Sequence, residues 1–230
     1  MRELFVLSAG AAKAVVLALK PAFESEEGVA LQATFGAVGA MRDQWAAGAP
    51  CDVLILTAKQ LDDLAHDGAV DASVALGHVR TGIAVRVGTA LPSIADGEEL
   101  RRAFLGVTSL YVPDPQRATA GIHCVEVLRR LGILATMEPR LRAFPNGAAA
   151  MAALATAADE QAIGCTQVTE ILYTPGVTLV GTLPLGFELN TEYAAAVVVR
   201  SREATLARRF VARLGSDETL ATRRAGGFEA

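Results

Sequence analysis

At 230 residues, with 52% hydrophobic and 20% charged residues, the chain has material for a substantial core, and intrinsic disorder is excluded. Its net charge of -4 excludes a surface that tracks a nucleic-acid backbone, so any anion site must be local. Cys51, Cys124 and Cys165 are odd in number, far apart and without metal-ligand spacing. That excludes a disulfide framework and a structural zinc site, and leaves three reduced thiols expected to be buried among apolar neighbours.

Apolar strands alternate with amphipathic helices, the pattern of a parallel or mixed sheet covered on both faces. A strand over Leu4–Ser8 leads to a helix over 11–26, and a strand over Val29–Phe35 leads to a helix over 40–47 that Gly48-Ala49-Pro50 breaks. The strand Cys51–Leu56 is followed by a helix over 59–67, with His66 and His78 read as exposed residues around that helix and the loop after it. Next come a strand over 81–87, a helix over 97–104 and a strand over 109–112, which runs into Pro113-Asp114-Pro115. A helix over 119–131 stops at Gly132, and another covers 148–157. Strands over 162–166, 177–181 and 193–200 and helices over 205–214 and 216–224 complete the chain. No stretch is apolar enough for long enough to span a membrane.

Chemistry enters at the strand-to-helix turns. Ser8-Ala9-Gly10-Ala11, Gly36-Ala37-Val38 and Ala118-Thr119-Ala120-Gly121 each end a strand or loop in small residues before a helix starts. Helix starts carry N–H groups without internal partners and partial positive charge, and small residues let an acid approach them. Gly10, Ala11, Ala37, Val38, Ala120 and Gly121 are therefore candidate contacts for a small anion. Lys13 and Arg42 fall in the first turns of the first two helices, and Arg80 lies just before the fourth strand, where a guanidinium fork could grip a carboxylate.

Two runs carry a resemblance: Val6 to Gly28, and Phe35 to Asp52 ending in Gln44-Trp45-Ala46-Ala47-Gly48-Ala49-Pro50-Cys51-Asp52. Two more lie downstream: Asp114-Pro115-Gln116-Arg117-Ala118-Thr119-Ala120-Gly121-Ile122-His123, and Glu192 to Val198. In order, they resemble the molybdate-binding solute-binding proteins of ABC transporters. The resemblance implies a type II periplasmic-binding-protein fold: two α/β lobes joined by two crossover strands, with a ligand cleft between them. Lobe one would take residues 1–79 and 190–230 and lobe two 80–189, with hinges near Gly77–Thr81 and Gly186–Thr191. The hydroxyl side chains with which that family grips its oxyanion are missing near Ala11 and near Ala37 and Val38, and Gln167 stands where the family has a Tyr. Aligned to the same cleft, Ser8, Thr119, Asn146 with Gly147, and Gln167 offer hydroxyl and amide groups suited to a planar carboxylate. The expected ligand is thus a small organic acid, a di- or tricarboxylate, or an oxyanion, with carboxylates preferred to molybdate.

No P-loop, dinucleotide fingerprint, nucleophile elbow or zinc helix is present, and no metal or cofactor is expected. The loss of the family's hydroxyls and the run Leu7 to Lys13 are similar to the aconitate isomerase branch, which implies an alternative: an isomerase moving an allylic proton on an unsaturated tricarboxylate. Ser8 and His123 are its first candidate catalytic residues, with Cys165 and Tyr193 behind them; Tyr193 is also a candidate ligand contact. Glu170 reads as a solvated helix charge. The expected partner is the small anion, without nucleic acid or membrane insertion. A transporter partner would need a leader, so the chain reads as cytoplasmic, or periplasmic if a leader has been removed.

Overall fold

The structure is a computed structural model that describes residues 2–159 and 161–229. The chain divides into two compact α/β units, one running up to Val79 and resuming at Thr191, the other spanning Arg80–Asn190.

In the first unit, strands β1 (Arg2–Ala9), β2 (Val29–Gly36), β3 (Val53–Thr57) and β9 (Asn190–Val197) build a sheet in the order β2-β1-β3-β9. The first three are parallel and β9 runs antiparallel to β3. Val53, Leu54, Ile55 and Leu56 are all fully buried, because helices cover both faces and leave no polar side to alternate with. Those helices are α1 (Lys13–Glu27, entered through a 3-10 turn at Gly10–Ala12), α2 (Val38–Ala46), α3 (Ala58–His66), α9 (Ala204–Gly215) and α10 (Leu220–Ala225). Phe23 of α1 meets Phe210 of α9 edge to face with ring centroids 4.9 Å apart, and Tyr193 meets Phe228 at 6.3 Å. Each buried aromatic of this kind contributes roughly 1.5–3 kcal/mol.

The second unit arranges β4 (Val74–Arg86, from Arg80 on in this unit), β5 (Ser109–Pro113), β6 (Leu141–Phe144), β7 (Ala162–Gln167) and β8 (Val177–Thr182) in the order β8-β4-β7-β5-β6. Strands β5, β6 and β7 are parallel, and β4 is antiparallel to both β7 and β8. One face packs Leu100 and Phe104 of α4 (Gly97–Leu105), Cys124, Val127 and Leu128 of α5 (Thr119–Arg130) and Met137 of α6 (Leu134–Met137). The other packs Met151 and Leu154 of α7 (Gly147–Ala155) and Ile171 of α8 (Val168–Tyr173).

Two strands depart from the pattern in the sequence. β4 begins at Val74 instead of Thr81, and His78 lies within it rather than in a loop. The extension is held by a backbone exchange, His78 N–H to Glu229 O and Glu229 N–H to His78 O, each 2.7 Å. Gly77 (φ +121°) allows it, since a Cβ there would lie 2.6 Å from Glu229 O. β6 has four residues and no inward alternation; it exists through parallel pairing with β5, a tertiary partner that overrides weak local propensity. Cys124 and Cys165 are buried as expected, whereas Cys51 is only partly buried, at the start of the segment that enters β3.

Candidate functional site

In both units the helices that follow parallel strands start at the sheet's carboxyl edge, where open α/β sheets bind ligands. Their first turns differ in what satisfies them.

In the first unit, Ser8 pairs with Phe35 and Ala9 with Gly36, so the turns leaving β1 and β2 lie side by side. This brings Gly10 and Ala11 next to Ala37 and Val38. The caps of both helical segments are alanines, Ala9 and Ala37, and no side chain caps either start. By contrast, α3 is capped by Thr57, whose hydroxyl accepts from Gln60 N–H at 3.4 Å. Ser8 is fully buried and donates to Ala9 O at 2.9 Å, so its hydroxyl is engaged within the turn. Lys13 opens α1 with its ammonium 5.9 Å from the centre of the Phe35 ring, and Arg42 is exposed on α2. Tyr193 pairs with Thr57 across β9 and β3, with its ring in the core beside Phe228.

In the second unit, α5 also begins on an alanine, Ala118, with no side-chain cap. The loop before it is shaped by Asp114, whose Oδ1 accepts from Gln116 N–H (2.8 Å) and Arg117 N–H (3.1 Å). Thr119, Ala120 and Gly121 form the first turn, and a Cβ on Gly121 would collide with the carbonyl oxygens of Pro113 and Asp114. Close packing of helix on loop thus accounts for this glycine. His123, one turn on, bonds Phe187 O through Nε2 at 2.8 Å. A carbonyl can only accept, so Nε2 carries the hydrogen.

The start of α7 is different. Asn146 caps it, with Oδ1 accepting from Ala149 N–H at 2.9 Å. Glu170 reaches this start from α8: its Oε2 lies against Gly147 and accepts from the Thr166 hydroxyl at 2.6 Å. A Cβ on Gly147 would collide with Glu170 Oε2 and Thr166 Oγ1. Glu170 is 7% exposed, which corrects its reading as a solvated charge. The Thr166 hydroxyl pulls its pKa down, but burial is the largest effect and the balance lies above the ordinary carboxyl value.

Gln167, 3% exposed, ends β7 opposite Thr81 of β4. The hydroxyls of Thr81 and Thr169, residues each 1% exposed, are buried without a hydrogen-bond partner among the described residues. Arg80, next to Thr81, is exposed. Cys165 lies on β7 against Cys124, and that contact, followed by burial, pushes its thiol pKa well up; for Cys51, burial pushes it to about 12. Neither is poised as a nucleophile. No cluster of potential metal ligands occurs among the described residues, and no helix among them is long and apolar enough to cross a membrane.

The second unit therefore groups Thr119–Gly121, Asn146, Gly147, Gln167 and Arg80 along one sheet edge, and the first groups Gly10, Ala11, Ala37 and Val38. Thr81, Thr169 and Glu170 did not stand out in the sequence as site residues. One signal could have found Glu170: it is the only acid or base in the run Ala162–Tyr173.

The chain is 28% identical over 188 residues to the molybdate-binding protein ModA of Escherichia coli (strain K12), covering 80% of this chain and 72% of that one. It is 27% identical over 223 residues to an aconitate isomerase of a Pseudomonas species, covering 94% of this chain and 83% of that one. The periplasmic molybdate-binding protein of Azotobacter vinelandii shares its fold at a TM-score of 0.79 and 19% identity, with 99% of each chain covered. The model of one family, described as bacterial extracellular solute-binding protein, matches residues 4–229. The two α/β units are accordingly a periplasmic-binding-protein fold, and the chain belongs to the bacterial extracellular solute-binding protein family.

Proposed function

We propose that this chain captures a small organic acid, a di- or tricarboxylate, using main-chain N–H groups at the carboxyl edges of its sheets. The observation that carries this reading is the row of alanines at the caps of three helical segments, Ala9, Ala37 and Ala118. An alanine cap costs about 0.5–2 kcal/mol relative to Ser, Thr, Asn or Asp. Thr57, Asp96 and Asn146 do cap α3, α4 and α7, while α1, α6, α8, α9 and α10 also start without a side-chain cap. A start left without a side-chain acceptor keeps its N–H groups and its dipole for an anion from outside. Each unit has such starts of its own, and the second adds the unpartnered hydroxyls of Thr81 and Thr169.

Carboxylate is favoured over molybdate because no hydroxyl stands at Ala11, Ala37 or Val38, and because Asn146 already caps α7 and Glu170 fills the space beside its first residue. Calorimetry with citrate, cis- and trans-aconitate, molybdate and sulfate tests the reading on the wild type and on Ala37→Asp and Ala118→Asp. Either substitution places a fixed carboxylate on the N–H groups in question. Carboxylate affinity is expected to fall at least about tenfold while the fold is kept, since caps of this type stabilise helices. Unchanged affinity in both variants, or binding of molybdate alone, would overturn it.

A second reading is favoured by the likeness to an aconitate isomerase over 94% of this chain: the bound acid is also isomerised, a proton leaving one allylic carbon and another returning at the far end of the double bond. Ser8 and His123 would have to release Ala9 O and Phe187 O to serve. Proton NMR of cis- and trans-aconitate with the protein in deuterated water decides this, because turnover incorporates deuterium at the allylic carbon. Tight binding with no exchange leaves binding alone.

A further inference from the structure

We infer that Glu170 is a built-in anion seated at the start of α7, and that it sets the specificity of the second unit by refusing that helix start to a fully ionised oxyanion. The inference rests on the proposed binding of anions by this chain.

The seat is set by packing. Glu170 Oε2 fills the space beside Gly147, the first residue of α7, and the Thr166 hydroxyl donates to it at 2.6 Å. Asn146 takes the third N–H of the helix, that of Ala149, and Ala150 N–H already bonds Asn146 O at 3.1 Å. The space beside the first residue of the turn is filled by Glu170 and Thr166. Gly147 is required as glycine because the carboxylate and Thr166 Oγ1 fill the space a Cβ would need. The helix has nine residues, long enough for its N-terminal charge to matter.

The elements around Glu170 are α7, β7, α8 and β8, and their sequences contain no Lys, Arg or His. Their other ionisable side chains are Cys165, buried with a raised thiol pKa, and Tyr173, which is 38% exposed. An incoming oxyanion at α7 therefore meets space already filled by Glu170, whose charge, when it is ionised, no side chain on these elements neutralises. It must expel Glu170 or wait for it to take up a proton. A carboxylate ligand held at the alanine-capped starts is spared that competition.

Two variants test this. Glu170→Ala vacates the seat, and Glu170→Gln keeps its shape without the charge. The melting temperature of Glu170→Ala is expected to rise by several degrees with added sodium acetate at constant ionic strength, with sodium chloride as control, while wild type and Glu170→Gln do not respond. In calorimetry, Glu170→Ala is expected to bind sulfate and molybdate about tenfold tighter than the wild type, and Glu170→Gln severalfold tighter, with citrate changed less. Absence of acetate rescue in folded Glu170→Ala overturns the seat. Rescue without any gain for sulfate or molybdate overturns the specificity role. If Glu170→Ala does not fold, Glu170→Gln decides by its oxyanion affinity alone, a gain supporting the role and no gain removing it. A wild type that binds none of these anions, beside a Glu170→Ala that acetate rescues, would instead defeat the proposed function and leave the seat standing.

Discussion

Gly121 and Gly147 show how one absent methyl group can position a helix start. Both have ordinary backbone angles, so flexibility is not what selects them; space is. Gly121→Ala pushes a Cβ into two backbone carbonyls that cannot swing aside, and a loss of about 1–3 kcal/mol is expected in urea unfolding. Gly181→Ala is the control. Its Cβ would meet only Ile94 Cδ1 at 3.5 Å, so a change within about 0.5 kcal/mol is expected. Glu170 makes a pH prediction at the same scale. Its folded pKa lies above its ordinary value of 4.5, so the folded state holds the proton more tightly than the unfolded chain does. The stability this contributes is fully present below pH 4.5 and is lost as pH rises through the folded pKa. Glu170→Gln cannot lose that proton. The stability of the wild type relative to Glu170→Gln should therefore decline as pH rises above 4.5 and then level off, as measured by paired denaturation curves. A difference that grows in favour of the wild type with rising pH would contradict the assignment.

At the scale of elements, the helix starts sort by the residue at the cap. Removing a cap in use, Thr57→Ala or Asn146→Ala, should cost about 0.5–2 kcal/mol of stability. Supplying one at an alanine-capped start, Ala118→Ser, should instead stabilise the fold by a comparable amount, because Ala118 already has the extended backbone of a cap (φ -98°, ψ 129°). Chemical denaturation checks both signs. The contrast matters because the helices in each unit have the same architectural role, covering a sheet, yet only some have been left without a side-chain acceptor. Under the proposed function, the uncapped starts at Ala9, Ala37 and Ala118 are the ones that bind, whereas those of α6, α9 and α10 are simply uncapped. Asn146 and Gly147 fall on the other side of the division. The sequence placed them among ligand contacts, but the structure engages Asn146 as a cap and Gly147 as the space in which Glu170 sits.

At the scale of the whole molecule, a ligand that binds only the folded chain raises its stability by RT ln(1 + [L]/Kd), or about 2.7 kcal/mol at one hundred times Kd. The melting temperature should go on rising with ligand concentration after the site is saturated. Citrate-like or aconitate-like acids are expected to produce that rise and molybdate a smaller one. A rise with molybdate that exceeds every carboxylate would reverse the proposed preference. Ionic strength separates the contributions: N–H groups at partly buried helix starts are screened less than exposed side chains such as Arg42 and Arg80. Carboxylate affinity should thus fall only modestly between low and physiological salt in calorimetry.

Periodicity and small-residue turns were enough to read the α/β alternation, the order of most elements and the turns at Gly10, Ala37 and Thr119. Hydrophobic burial and helix entry are local consequences of residue type. The collinear motifs carried the family as well. What local sequence could not supply was anything that depends on a distant partner. β6 is a strand because β5 lies beside it, and β4 starts early because Glu229 exchanges hydrogen bonds with His78. Ser8 and His123 resembled free catalytic groups until Ala9 O and Phe187 O were seen to hold them. Glu170 read as a surface charge because acids on short helices commonly are. Only the packing of α8 against α7 shows it buried, against Gly147, 23 residues earlier in the chain, and within reach of the Thr166 hydroxyl. Composition and spacing record which groups a chain possesses. Which of them are already satisfied is decided when folding brings donors and acceptors together.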